Sequence, residues 1–201
     1  FGYSPLRTGV AFLPMIGALV VTAPLAGQRL LHRLGTRGTL PLGIAIEAAA
    51  FVLLSRISPD SSYAGAVVPG IMVLGVGIGF VMPVTFNSGT RGAPVSHIGL
   101  ASAVITVSQQ IGASLSVALL ATYASRHVST YVEDHAEQTR AQAMSALSQA
   151  QATPDSDAGQ AIVARLTAEL ADRAQISAYS GGFLLMACIL AVVAALLAAL
   201  A

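Results

Sequence analysis

The sequence predicts an all-α, polytopic membrane protein with five transmembrane helices, its N-terminus outside and its C-terminus cytoplasmic. Three observations predict it. Only 9% of the 201 residues are charged against 55% hydrophobic, whereas the wetted surface of a soluble domain needs roughly 25% charged residues. Eighteen of the nineteen formal charges fall outside five apolar stretches, each close to the ~20 residues with which a helix crosses ~30 Å of hydrocarbon. The arginines, finally, are shared unequally between alternate connections, and this gives the orientation.

The first stretch, 8–26, holds 19 residues without a charge, about 28 Å of helix at 1.5 Å per residue. The second, 38–55, is interrupted once by Glu47 and carries Pro41 near its start, where a missing N–H does little harm. Stretches 64–86, 98–123 and 180–201 hold 23, 26 and 22 residues without a charge, enough to span with tilt. Lipid offers no partner to a backbone N–H or C=O, and the runs are too long and non-alternating for barrel strands, so all five are helical. Pro14, Pro24, Pro69 and Pro83 then imply kinks.

Lys and Arg are retained on the cytoplasmic side of short loops. Arg29, Arg33 and Arg37 follow the first stretch and Arg91 follows the third, against Arg7 and Arg56 on the other side. Residues 1–123 thus form a four-helix membrane portion, 124–179 an extracytoplasmic, partly helical loop, and 180–201 the last transmembrane helix. The loop carries four arginines and seven acidic residues, net −3. Within it, Thr130 with Glu133 and Asp157 with Gln160 have the spacing of helix starts, separated by Thr153-Pro154. Ile162, Leu166 and Leu170 recur every fourth residue, beside Arg165, Glu169 and Arg173 at ion-pair spacing. That helix is expected on the membrane surface or at the mouth of the bundle.

Several function classes are excluded. A net charge of +1 without a basic patch does not bind nucleic acid. The lone Cys188 makes no internal disulfide and no CxxC site. HExxH, GxSxG and Walker sequences are absent, which leaves metalloprotease, serine hydrolase and ATP-driven pump without support. His127, Glu133, Asp134 and His135 lack metal-ligand spacing and are read as solvated. A membrane enzyme needs catalytic groups gathered at one depth, and only Glu47 is offered there. No enzyme activity, cofactor or metal is therefore expected. The chain opens Phe1-Gly2-Tyr3-Ser4-Pro5, with neither initiator Met nor signal-peptide pattern, and is expected to be a truncated product or a fragment.

Candidate functional residues lie within the stretches. Glu47 sits near mid-helix, where a charge costs about 2.5–3.5 kcal/mol; it is either a proton-titrating carboxylate or a protonated or paired acid that fixes packing. In the fourth stretch Ser102, Thr106, Gln109, Ala113 and Ser116 recur at steps of four and three, one small-polar stripe on an apolar helix. Such a stripe lines an aqueous pathway or hydrogen-bonds across a tight helix interface, and the size of Gln109 favours the pathway. Gly75 and Gly79 have the GxxxG spacing of close helix approach. No βαβ context accompanies these glycines, so a nucleotide fingerprint is discarded.

Gly2-Tyr3-Ser4-Pro5-Leu6 with Gly9 and Pro14, then Ala23-Pro24-Leu25-Ala26-Gly27 leading into Arg33-Leu34-Gly35-Thr36-Arg37, resemble the fourteen-helix drug:proton antiporters of the major facilitator superfamily. Gly99-Leu100-Ala101-Ser102 and Ser108-Gln109-Gln110-Ile111-Gly112, within 92–113, are similar to that family's penultimate-helix signature. The resemblance implies a major-facilitator-type bundle of which these are the last five helices, in the cell (plasma or inner) membrane, with the N-terminal helices of the same transporter as a missing partner. It implies a cytoplasmic gating segment at Gly27, His32, Arg33, Gly35 and Arg37, although His32 stands where the motif usually has an acid. It places the first, third and fourth helices toward the pathway and the helix of Glu47 at the periphery. Phe12, Met15, Phe80 and Met82 then become apolar contacts for lipophilic substrates.

The expected function is proton-coupled efflux of drugs or other amphiphilic or cationic small molecules, with membrane lipid and protons as further partners, by rocking of helical repeats about a central site. The alternative is a non-transporting membrane interaction or sensor protein that uses the 124–179 loop.

Overall fold

The computed structural model describes residues 4–58, 61, 63–91 and 93–200, with the surroundings of all of these but 27 and 28. Gly2, Tyr3 and Gly92 of the family-like segments lie outside the described residues, as do the surroundings of Gly27. Among the described residues there is no strand.

Helix α1, Pro5–Ala11, opens with proline at a position that needs no N–H, capped by Ser4, whose Oγ accepts from the Arg7 N–H at 3.4 Å. It ends at Phe12, and α2, Leu13–Leu25, starts anew with Pro14 in its first turn. The first stretch is thus a pair of short helices, because Pro14 lacks the N–H that would continue one ladder. A π-helical turn, Ala26–Leu30, leads into α3, Leu31–Leu54. A second π turn, Tyr63–Val67, precedes α4, Val68–Thr90, with Pro69 at its start. A 3₁₀ turn, Val95–His97, opens α5, Ile98–Gln149, and α6 runs Asp157–Ala199. Among the described residues, five helical segments, Pro5–Leu25, Leu31–Leu54, Tyr63–Thr90, Val95–Gln149 and Asp157–Ala199, are long and apolar enough to cross a membrane.

The chain divides into two compact units. One holds the residues up to Ser116 with those from Phe183 onward; the other is Val117–Gly182. In the first, α4 packs against both α2 and α3. A side chain on Gly75 would run into the Met15 carbonyl and Ala18, and one on Gly79 into the Thr22 hydroxyl. The Gly75/Gly79 spacing read from the sequence therefore serves close approach to α2, where missing side chains let backbones come together. Gly77, between them, turns to α3 and faces Gly43 and Glu47.

The second unit is a helical hairpin. No helix opens at Thr130, because α5 continues through it without Gly or Pro from 113 to 153, and the Thr130 hydroxyl donates back to the Arg126 carbonyl at 3.1 Å. The chain turns at 150–156, and α6 begins at Asp157 as its sequence implies. The cap is Ser156, whose Oγ accepts from the Gly159 N–H at 3.1 Å. Ile162, Leu166 and Leu170 are half-buried, and the four-residue step continues through buried Ala174, Ala178 and Gly182. Across from them, Tyr123 lies against Gly181 and Leu120 against Gly182. His127 Nε2 and Ser177 Oγ share a hydrogen bond of 3.0 Å, and Tyr131 stacks on His135 with ring centroids 4.1 Å apart.

Candidate functional site

Three features of the first unit compete for function. The polar stripe lies on α5, where Ser102 is half-buried and Thr106, Gln109 and Ser116 are exposed. Thr106 Oγ1 donates to the Ser102 carbonyl at 3.0 Å, and Ser116 Oγ to that of Gly112 at 2.8 Å. Both hydroxyls are thus satisfied by their own helix, which lets a threonine or serine stripe sit in an apolar setting. Off the stripe, Leu100 is 65% exposed and Leu115 70%, whereas the Ile105 side chain lies against Gly89 of α4. Gly112 has nothing within 4 Å of where a side chain would begin.

The second feature is a cavity of about 530 Å³ at the Phe12 end of the first unit, within the size range of small-molecule sites. Phe12 and Met15 line it together with Phe51, Tyr63, Leu74 and Phe183. The Phe51 and Phe183 rings are tilted, their centroids 6.0 Å apart. Its two hydroxyls are already engaged with backbone: Tyr63 donates to the Ala11 carbonyl, and Thr8 to the Ser4 carbonyl at 3.1 Å. The cavity therefore offers hydrocarbon and aromatic surface. Of the four apolar residues singled out in the sequence, only Phe12 and Met15 meet here. Phe80 sets its Cβ against Gly43 of α3, and Met82 is exposed on α4.

The third feature is the segment from 27 to 37. The sequence reads as a loop here; the backbone is helical except at Gly35, with φ 65° and ψ −178°. That backbone state is open essentially to glycine alone, so the one non-helical residue falls on the glycine of the gating-like motif. Thr39 Oγ1, fully buried, donates to the Gly35 carbonyl at 2.8 Å. Thr36 Oγ1 and Ser88 Oγ lie 3.0 Å apart, tying the start of α3 to the end of α4. The connection bearing Arg29, Arg33 and Arg37 and the one bearing Arg91 thus sit at one end of the bundle, as alternate crossings require. His32, Arg33 and Arg37 are exposed. Arg91 Nη2 donates to Asn87 Oδ1 at 3.2 Å. The Thr36–Ser88 pair was not legible beforehand, since its only trace in sequence is a hydroxyl residue near each helix end.

Glu47 is half-buried, and its side chain lies along Gly77 in the interface of α3 with α4. His127, Glu133, Asp134 and His135 form no metal-holding group, and none of three or more such ligands exists among the described residues.

Residues 1–117 match the model of the Major Facilitator Superfamily. Among curated proteins, a puromycin resistance protein of Streptomyces alboniger is 38% identical over 136 residues, 66% of this chain and 27% of that protein. A tetracenomycin C resistance and export protein of Streptomyces glaucescens is 33% identical over 119 residues, 59% of this chain and 22% of that one. The multidrug resistance protein Stp of Mycobacterium tuberculosis is 25% identical over 136 residues, 68% of this chain and 25% of that one. The chain spans about a quarter of the length of these relatives. With its five membrane-crossing helices and a family match over more than half its length, it is a multi-pass membrane protein that belongs to the Major Facilitator Superfamily.

Proposed function

We propose that this chain is part of a secondary active exporter, one that moves amphiphilic or cationic small molecules out of the cell in exchange for protons. In this reading its five helices are the last of fourteen, the N-terminus lies outside, and the arginine-bearing end faces the cytoplasm. The 117–182 hairpin then belongs to the extracytoplasmic side. The observation that carries the reading is the stripe of Ser102, Thr106, Gln109 and Ser116 on α5, of which Thr106, Gln109 and Ser116 are exposed. A polar line along a largely exposed helix rich in Val, Ile and Leu suits a wall shared with other helices around a wet path. Relatives named for resistance and export agree with it. Met82, exposed on α4, is a flexible apolar contact for varied ligands on the same path.

The test is energised dye efflux from cells carrying the complete transporter. Gln109→Leu is expected to lower the rate about three- to tenfold, the loss of one hydrogen bond to the passing solute, with unchanged membrane abundance. Full efflux by Gln109→Leu together with Thr106→Val would overturn the stripe as pathway. Glu47→Gln keeps the shape of the side chain and removes its proton. Retained efflux in a proton gradient assigns Glu47 to packing against Gly77, and loss of gradient-driven efflux with retained ligand binding assigns it to coupling.

A further inference from the structure

We propose that the Val117–Gly182 hairpin binds one uncharged monosaccharide ring in a pocket between α5 and α6. The inference rests on the hairpin alone and not on the export reading. Every charged residue of α5 and α6 lies between Arg126 and Arg173, a density of charge that hydrocarbon does not accept, so the pocket meets water and its solutes. Its volume is about 190 Å³, the share of about six water molecules in the liquid and short of the roughly 300 Å³ at which sites for drug-sized molecules begin. It takes a single small ring.

Hydrogen-bonding capacity and charge decide which ring. Gln138 and Gln142 line the pocket from α5, one helical turn apart, and neither side-chain amide has a partner among the described residues. An amide presents both a donor and an acceptor, as does an alcohol hydroxyl. His135 Nδ1 donates to the Tyr131 carbonyl at 2.9 Å, which leaves Nε2 of the neutral ring an acceptor. Thr139 Oγ1 donates to the His135 carbonyl at 2.9 Å and keeps its lone pairs. On α6, Glu169 and Arg173 bind each other at 2.7 Å, so the pocket holds one negative and one positive group and favours a ligand of no net charge. An anion would have to draw Arg173 from Glu169, and a cation the reverse. The pair still has N–H groups and a carboxylate oxygen to offer. Leu166 and Leu170 with the stacked Tyr131 and His135 rings, 14° apart, add apolar and aromatic surface, and aromatic faces are negative and attract C–H groups. Hydroxyls around the edge and C–H groups on the faces are the two surfaces of a pyranose, and each has its counterpart here.

The experiment is saturation-transfer NMR on the complete transporter in phosphocholine micelles, which carry no sugar, with the methyl glycosides of glucose, galactose and mannose as probes. At least one is expected to bind with a Kd on the order of 1 mM, the ordinary ligand efficiency of a molecule of this size. The uronic acid and the amino sugar of the same ring should bind about tenfold more weakly. Gln138→Leu with Gln142→Leu removes two hydrogen bonds from an exposed face and should weaken binding about thirtyfold. The comparison of probes on the unaltered protein stands even where the variant fails to fold. Absence of transfer to all three glycosides, or binding untouched by the double substitution, overturns the site. Equal or tighter binding of either charged sugar overturns its preference for a neutral ring.

Discussion

Helix α4 and the part of α5 before Val117 are both long, free of charge and rich in Val, Ile and Leu. In the fold they differ completely. α4 buries Gly70, Gly75, Gly77, Gly79 and Val84 between two neighbours, whereas residues 98–116 of α5 have none buried. Hydrophobicity put both in lipid, but lipid tails are as apolar as the side chains, so it cannot also pull helices together. What distinguishes α4 is small residues set opposite small residues and backbone. What distinguishes α5 is a polar stripe and glycines that face nothing.

Substitutions at matched glycines would break this contrast if it is wrong. Gly75→Leu forces a branched side chain onto the Met15 carbonyl and is expected to destabilise the bundle by about 3 kcal/mol, read as the unfolding midpoint in mixed micelles. Gly112→Leu, with nothing nearby, should stay within about 0.5 kcal/mol in this chain. Equal losses would mean that α5 is packed as α4 is.

The next effect tests the end of the bundle that holds α3 to α4. Gly35→Ala places a Cβ in a backbone state reserved for glycine and should cost about 2 kcal/mol, measured in the same denaturation assay. If Gly35→Ala is neutral, the break in α3 does not exist in solution. Thr36→Val removes the hydroxyl that meets Ser88, and about 0.6 kcal/mol is expected for a hydrogen bond between membrane helices. A double-mutant cycle with Ser88→Ala reads it directly, and a coupling energy of zero would detach the two helix ends.

The smallest effect belongs to the hairpin. Arg173 Nη2 and Glu169 Oε1 lie 2.7 Å apart on an exposed face, and an exposed pair one helical turn apart contributes about 0.3–0.5 kcal/mol. Arg173→Gln should therefore shift the hairpin's unfolding midpoint barely and lose even that shift in high salt. Ala178→Leu, on the buried face of the same helix, should shift it several times more.

The hairpin also shows how far spacing reaches. Ile162, Leu166 and Leu170 gave a helix with one apolar face, expected on the membrane surface or at the mouth of the bundle, and the same step through Ala174, Ala178 and Gly182 could have been followed. It was missed because small residues carry little hydrophobic signal, although they permit the closest approach. Thr130 misled for the opposite reason. A hydroxyl followed by Glu133 has the local chemistry of a cap, and only the uninterrupted helix on either side turns that hydroxyl back onto Arg126.

The sequence by itself determined the solvent, the helical state and the five crossings, since each follows from runs of residues that water would not tolerate and lipid would not permit in another form. It also placed Gly75 and Gly79 at an interface, because their spacing repeats with the helix. The tertiary structure alone decided which candidates meet. Phe12 and Met15 share a cavity with Phe183, more than 160 positions later, while Phe80 and Met82, no less apolar, fall elsewhere. Glu47 lies on Gly77, and Thr36 reaches Ser88. These contacts depend on how whole helices are rotated and juxtaposed, a choice made by packing between distant segments, and no local pattern records it.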